Sequence, residues 1–129
     1  MLKINIPKKL MYIYPMKQSG QLFKGSLTTI ILKLLSEQDK MYGYEITKKV
    51  KELSHGEIAL TEGALYPSLH KLEAEELLTV SVENIGNRLR KYYSLTPKGN
   101  KEAANKLSEL KEFFMQMQTV LNLQLLTAK

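Results

Sequence analysis

The chain has 129 residues, a mass of 14.8 kDa and a formal net charge of +6, a length that suits one domain with an appendage. Hydrophobic residues at 43% and charged residues at 25% are ordinary globular usage and exclude wholesale disorder. There is no cysteine, which excludes a disulfide scaffold, a thiol nucleophile, a cysteine zinc site and a thiolate iron–sulfur cluster.

The charge is unevenly spread. Residues 1–36 carry six lysines and no acid, and residues 79–100 carry four bases against one acid. Residues 37–78 are net acidic, with nine acids and five bases. Two separate basic stretches make a polyanion the natural partner to test, against the bland reading of a solvated basic surface.

Residues 1–17 read as an N-terminal tail or extension, with Pro7 and Pro15 bounding a mixed segment and Met16 resembling a second start. Without a long apolar core or a small-residue cleavage site, no secretory signal is expected there. No apolar run is long enough to span a membrane. A cytoplasmic location is the expectation.

Helix signals begin near Gln21. Leu27, Ile30, Ile31, Leu34 and Leu35 recur at helical spacing, and the helix should end in the polar stretch 36–40. A second helix is predicted from about Gly43 to Leu53, buried through Ile46, Val50 and Leu53, with Gly56 placed to end it. A third begins near Thr61 or Gly63, with Leu65, Leu69 and Leu72 as its stripe and Leu77 continuing it. Pro67 costs little if Gly63 is the cap; a start at Thr61 predicts a bend at the proline.

The period then switches. Residues 79–83 alternate polar and apolar, 84–87 read as a turn, and 88–95 read as a return strand whose basic residues are Arg88, Arg90 and Lys91. Of Tyr92 and Tyr93, one should face the core and the other outwards. Thr96-Pro97 is a helix start, a capping threonine followed by proline at the first helical position. With no later glycine or proline, a helix from Pro97 to about Thr127 is expected, on the order of 45 Å long. Leu107, Leu110, Phe114, Met117 and Leu121 repeat three and four apart along it, and Phe113 and Val120 widen the face. That is more apolar surface than one small domain covers.

This order of elements defines the expected fold class: mainly α with a small β-hairpin, a winged helix-turn-helix domain over residues 18–96 followed by a long C-terminal dimerisation helix over 97–129. A helix of this kind fits the major groove of B-DNA, where base edges are distinguishable. A basic hairpin supplies phosphate contacts that position the protein and make affinity salt-dependent.

The segments Tyr42-Gly43-Tyr44-Glu45-Ile46, Gly63-Ala64-Leu65-Tyr66-Pro67-Ser68-Leu69-His70-Lys71-Leu72-Glu73 and Arg90-Lys91-Tyr92-Tyr93-Ser94-Leu95-Thr96 resemble the signatures of the PadR family of bacterial transcriptional regulators, short form, over about residues 18–123. The resemblance implies a homodimeric regulator, usually a repressor, closed through the C-terminal helix and binding double-stranded DNA at a pseudo-palindromic operator. Its two recognition helices would then stand about 34 Å apart. It also implies a small hydrophobic effector in some members; the absence of tryptophan argues against an aromatic sandwich around a planar compound here.

The candidate DNA-binding residues are Tyr42, Thr61, Glu62, Gly63, Tyr66, His70, Lys71, Asn87, Arg88, Arg90 and Lys91. Tyr42 touches a phosphate on the resemblance, or packs the helix junction. Tyr66 is either a contact or a buried support, since tyrosine often buries its ring and keeps its hydroxyl wet. Glu62 would be repulsive beside DNA unless it accepts from cytosine. Lys71 reaches a phosphate or is simply solvated, and Asn87 is a contact or turn chemistry. The dimerisation candidates are Leu107, Leu110, Phe114, Met117 and Leu121. His55 and His70 are the only histidines, too few for a structural metal site, and no cofactor is expected. No phosphate-cradling glycine loop or nucleophile elbow is present, so no enzyme is expected. The competing reading is a winged-helix module that binds a protein partner, because fold does not fix function.

Overall fold

A computed structural model describes residues 21–123; the expected tail at 1–17 lies outside them. In chain order the elements are α1 (Gln21–Glu37), β1 (Met41–Tyr42), α2 (Gly43–Leu53), α3 (Glu62–Ala74), β2 (Leu78–Ile85), β3 (Arg88–Leu95) and α4 (Pro97–Val120). The helices surround one core. Leu27, Ile31, Leu32 and Leu35 of α1 meet Ile46 and Val50 of α2, the Leu65–Leu69–Leu72 stripe of α3, and Tyr93 from the sheet.

The strands form one antiparallel sheet in the order β1-β3-β2. Two-residue β1 was not foreseen: Met41 pairs with Tyr93 and Tyr42 with Tyr92. So short a strand has no period of its own to read, and only its partner defines it. The hairpin is tighter than expected, with Ile85 opposite Arg88 and only Gly86 and Asn87 between the strands. Gly86 has φ +65°, the positive value that two-residue turns matched to strand twist require at their first position. As expected, the tyrosines divide: Tyr93 is 1% exposed, and Tyr92 lies on the opposite face.

Thr61 caps α3, its side chain accepting from the Ala64 N–H. The helix therefore starts early and carries Pro67 in its interior. The carbonyl that loses a helical partner is that of exposed Gly63, where water can satisfy it. Thr96 caps α4 as expected, accepting from the Gly99 N–H at 2.9 Å while its hydroxyl donates to the Glu76 carbonyl at 2.8 Å. Gly99 is buried so closely against the Leu77 carbonyl that any Cβ there would collide with it.

Two expectations are corrected. Leu53 is 61% exposed rather than core; it is the last residue of α2, and Ile58 and Leu60 of the following loop pack against the core instead. The last helix stops at Val120, not near Thr127, and Leu121 is its C-cap. Asn122 turns left-handed with φ 53°. Its N–H reaches the Thr119 carbonyl, and the Leu123 N–H reaches Gln118. This is the glycine-type helix stop, performed by an asparagine. The same closure ends α2 with His55 (φ 54°) and α3 with Glu76 (φ 63°) in the left-handed place. In all three helices a residue other than glycine holds that position.

Candidate nucleic-acid interface

Three segments hold the candidate residues, and the structure ties them together through two contacts. The first is between α2 and α3. Gly43 opens α2 with no side chain, and the Tyr66 hydroxyl of α3 occupies the space a Cβ would need, with its Cζ 3.0 Å from that position. Tyr66 is thus half-buried support at the helix junction. Its ring also lies 6.4 Å from that of His70, which is exposed.

The second contact joins α2 to the hairpin. The Arg90 guanidinium lies over the Tyr42 ring, 4.0 Å from its centroid, a cation on the negative face of the ring. Arg90 Nη1 also donates to the Tyr92 hydroxyl at 3.5 Å, and this bond, with the Tyr42 and Tyr92 oxygens and Glu45 nearby, holds the guanidinium pKa above its ordinary value. Tyr42 meets Tyr92 edge-on at 5.5 Å and stacks with Tyr44 at 6.4 Å. The backbone N–H of Tyr42 donates to Glu45 Oε1 at 3.1 Å. The start of α2 is thereby capped and its tyrosine fixed.

Around this cluster Thr61, Glu62 and Gly63 form the exposed start of α3. Glu62 in the first turn complements the helix dipole, which accounts for its presence without DNA. Asn87, Arg88 and Lys91 are exposed along the hairpin, Asn87 and Arg88 at its tip. Lys71 stands apart: it borders a cavity of about 310 Å³ beside Thr28 and Leu32 of α1 and Lys98 and Glu102 of α4.

Sequence reasoning overlooked Lys40. Its ammonium is 4.7 Å over the Tyr92 ring and paired with the Glu83 carboxylate. That pairing raises its pKa. Nothing in the linear order signals this, because β1 must pair with β3 before Lys40 and Glu83 meet.

The apolar seam of α4 divides along its length. Ala103 is buried, Leu110 and Met117 are half-buried, and Leu107, Phe114 and Leu121 are exposed together with Phe113, Met115 and Val120. Among the described residues no helix is long and apolar enough to cross a membrane.

A helical trio, a two-stranded basic wing and a trailing helix are the architecture of a winged-helix regulator. The family model for the transcriptional regulator PadR-like family matches residues 31–105. A protein of Lysinibacillus sphaericus is 30% identical over 97 residues, covering 72% of this chain and 88% of that protein. The transcriptional regulator YqjI of Escherichia coli is 35% identical over 75 residues, but these are only 34% of its length. Among solved structures, a transcriptional regulator from Clostridium thermocellum superimposes with a TM-score of 0.69 at 29% identity, covering 80% of this chain and 96% of the other. A PadR-like transcription factor from Bacteroides fragilis does so with 0.65 at 31% identity, covering 78% and 94%. The chain belongs to the PadR-like family of transcriptional regulators, a family of regulators and not of enzymes.

Proposed function

We propose that this regulator acts as a homodimer that binds double-stranded DNA at a pseudo-palindromic operator and represses transcription in the cytoplasm. Within the described residues, 21–96 are the reading head and α4, Pro97–Val120, is the dimerisation helix. The observation that carries the reading is the Arg90–Tyr42 contact together with the Gly43–Tyr66 contact. They lock the wing, the start of α2 and α3 into one unit, as a surface that must match a rigid duplex requires.

In this reading the exposed start of α3 (Thr61, Glu62, Gly63) and His70 approach base edges. Tyr42, Asn87, Arg88, Arg90 and Lys91 approach phosphates, and Lys71 lies at the margin. The exposed apolar side chains of α4, with Leu107, Phe114 and Leu121 among them, form the dimer interface. A small hydrophobic effector would act by shifting how the two heads are spaced.

The test is fluorescence anisotropy with the DNA upstream of the protein's own gene. Binding at about 10⁻⁸ M or tighter at physiological salt is expected. The double variant Arg90→Ala, Lys91→Ala should weaken binding to all sequences by at least about tenfold and flatten the salt dependence by about two counterions. Unchanged affinity in that variant at 0.2 M salt, about physiological ionic strength, would reject the wing assignment. Absence of any DNA binding would favour a protein-binding role.

A further inference from the structure

Glu83 is the one acid between residues 79 and 100. The β2–β3 register sets it directly opposite Arg90 on the same face of the sheet. Residues so paired have Cβ atoms about 5 Å apart, and opposite charges there attract. A carboxylate can also grip a guanidinium with two parallel hydrogen bonds. By strand register alone Glu83 should therefore capture Arg90, and a captured Arg90 must break that pair before it can hold a phosphate.

The two do not pair. Glu83 is engaged by the Lys40 ammonium, and Arg90 lies instead over the Tyr42 ring. Lys40 is itself seated above Tyr92, whose ring abuts Tyr42. The second carboxylate near Arg90, that of Glu45, accepts the Tyr42 backbone N–H at Oε1, and the Arg90 hydrogen bond goes to the Tyr92 hydroxyl.

We infer that Lys40 is a positioning residue for DNA binding by the wing: by holding Glu83 it keeps the Arg90 guanidinium on Tyr42, free of a carboxylate and open to a backbone phosphate. The inference rests on the DNA-binding reading above. It also gives a role to a cation that lies outside the wing and outside α3.

A double-mutant cycle tests it, with Lys40→Met, Glu83→Gln and the pair, titrated against duplex DNA of arbitrary sequence at low salt, where phosphate contacts dominate. Lys40→Met alone should weaken binding about tenfold, the loss of one charge-assisted contact. Glu83→Gln alone should change it by less than about twofold, and the double variant should return to within about twofold of the original chain. Lys40→Arg should behave as the original chain.

Two results overturn the inference. If Glu83→Gln alone tightens binding by the factor that Lys40→Met loses, only net charge matters. If the double variant stays as weak as Lys40→Met, Lys40 touches the phosphate itself. Proton NMR gives a readout without DNA: the Arg90 side-chain protons should show the upfield shift of the Tyr42 ring in every variant except Lys40→Met. Retention of that shift in Lys40→Met would also reject the inference. If the original chain binds no duplex, the DNA-binding reading and this use of Lys40 both fall; if it binds and the cycle is additive, only the inference about Lys40 falls.

Discussion

Along α4, Gly99 and Ala103 are buried against α1 and the sheet, whereas Phe113, Phe114, Met115 and Val120, a few turns on, are 44% to 73% exposed. Among the described residues the same helix thus passes from a covered surface to one left exposed. The first half is held by tight fits: the Thr96 cap and the approach of Gly99 to the Leu77 carbonyl. The second half carries large side chains that stand exposed among the described residues, with Leu110 and Met117 half-buried between them. What differs is the source of stability, intramolecular at one end and, in the proposed dimer, intermolecular at the other.

The sharpest way to break this comparison is a matched pair of truncations. Leu32, fully buried in α1, should cost about 3 kcal/mol when changed to Ala, through lost burial and the cavity left behind. Urea unfolding at fixed protomer concentration would read it. Phe114→Ala should leave the protomer folded and instead weaken self-association by on the order of tenfold or more, as removal of an interface anchor does. Sedimentation velocity would read that change. Because dimerisation also adds apparent stability, both variants must be compared across a concentration series. If Phe114→Ala left association unchanged, the exposed half of α4 would not be the dimer surface.

A smaller effect is expected at the helix stops. Glu76 adopts a left-handed backbone that costs an ordinary residue about 1 kcal/mol or more. The Thr96 hydroxyl bonds only its backbone carbonyl. Glu76→Gly should therefore stabilise the body by about 0.5–1 kcal/mol, the conformational gain less the added freedom of the unfolded chain. A lower midpoint in urea would show that the left-handed turn is not where strain resides.

The smallest effect concerns pH. Burial, with Tyr66 and Glu73 as lesser contributors, raises the Tyr93 pKa above its ordinary 10.0. The unfolded chain then loses that proton at lower pH than the folded one, so stability is intact below about pH 10 and falls as pH rises beyond it. Tyr93→Phe should flatten that alkaline fall. An unchanged slope between pH 9.5 and 11, the range about the ordinary tyrosine pKa, would place the titrating group elsewhere.

Much of this molecule is legible in the linear order of its residues. The leucine stripe of α3, the Thr96-Pro97 start of α4 and the switch from helical to alternating period at the hairpin are local signals, each carried by a few consecutive residues. The candidate site was legible as a set of segments but not as a constellation. Tyr42 and Arg90 are far apart in the chain, and their contact depends on a two-residue strand too short to recognise. Lys40 was overlooked for the same reason. The end of α4 is not legible in the sequence because asparagine, rather than glycine, supplies the left-handed turn, and composition alone does not say which asparagine will do so.

Periodicity, caps and charge blocks thus determined the helices, the hairpin and its basic character, because those properties arise from neighbours within a turn or two of chain. Tertiary structure alone decided that Tyr66 fills the space left by Gly43, that Arg90 rests on Tyr42, and that Glu83 is held by Lys40 rather than by the arginine opposite it. The first depends on how α2 packs on α3, and the other two on competition among side chains brought together only when β1 joins the sheet. The energies separating the alternatives are a few tenths to one or two kcal/mol, too small for linear order to rank.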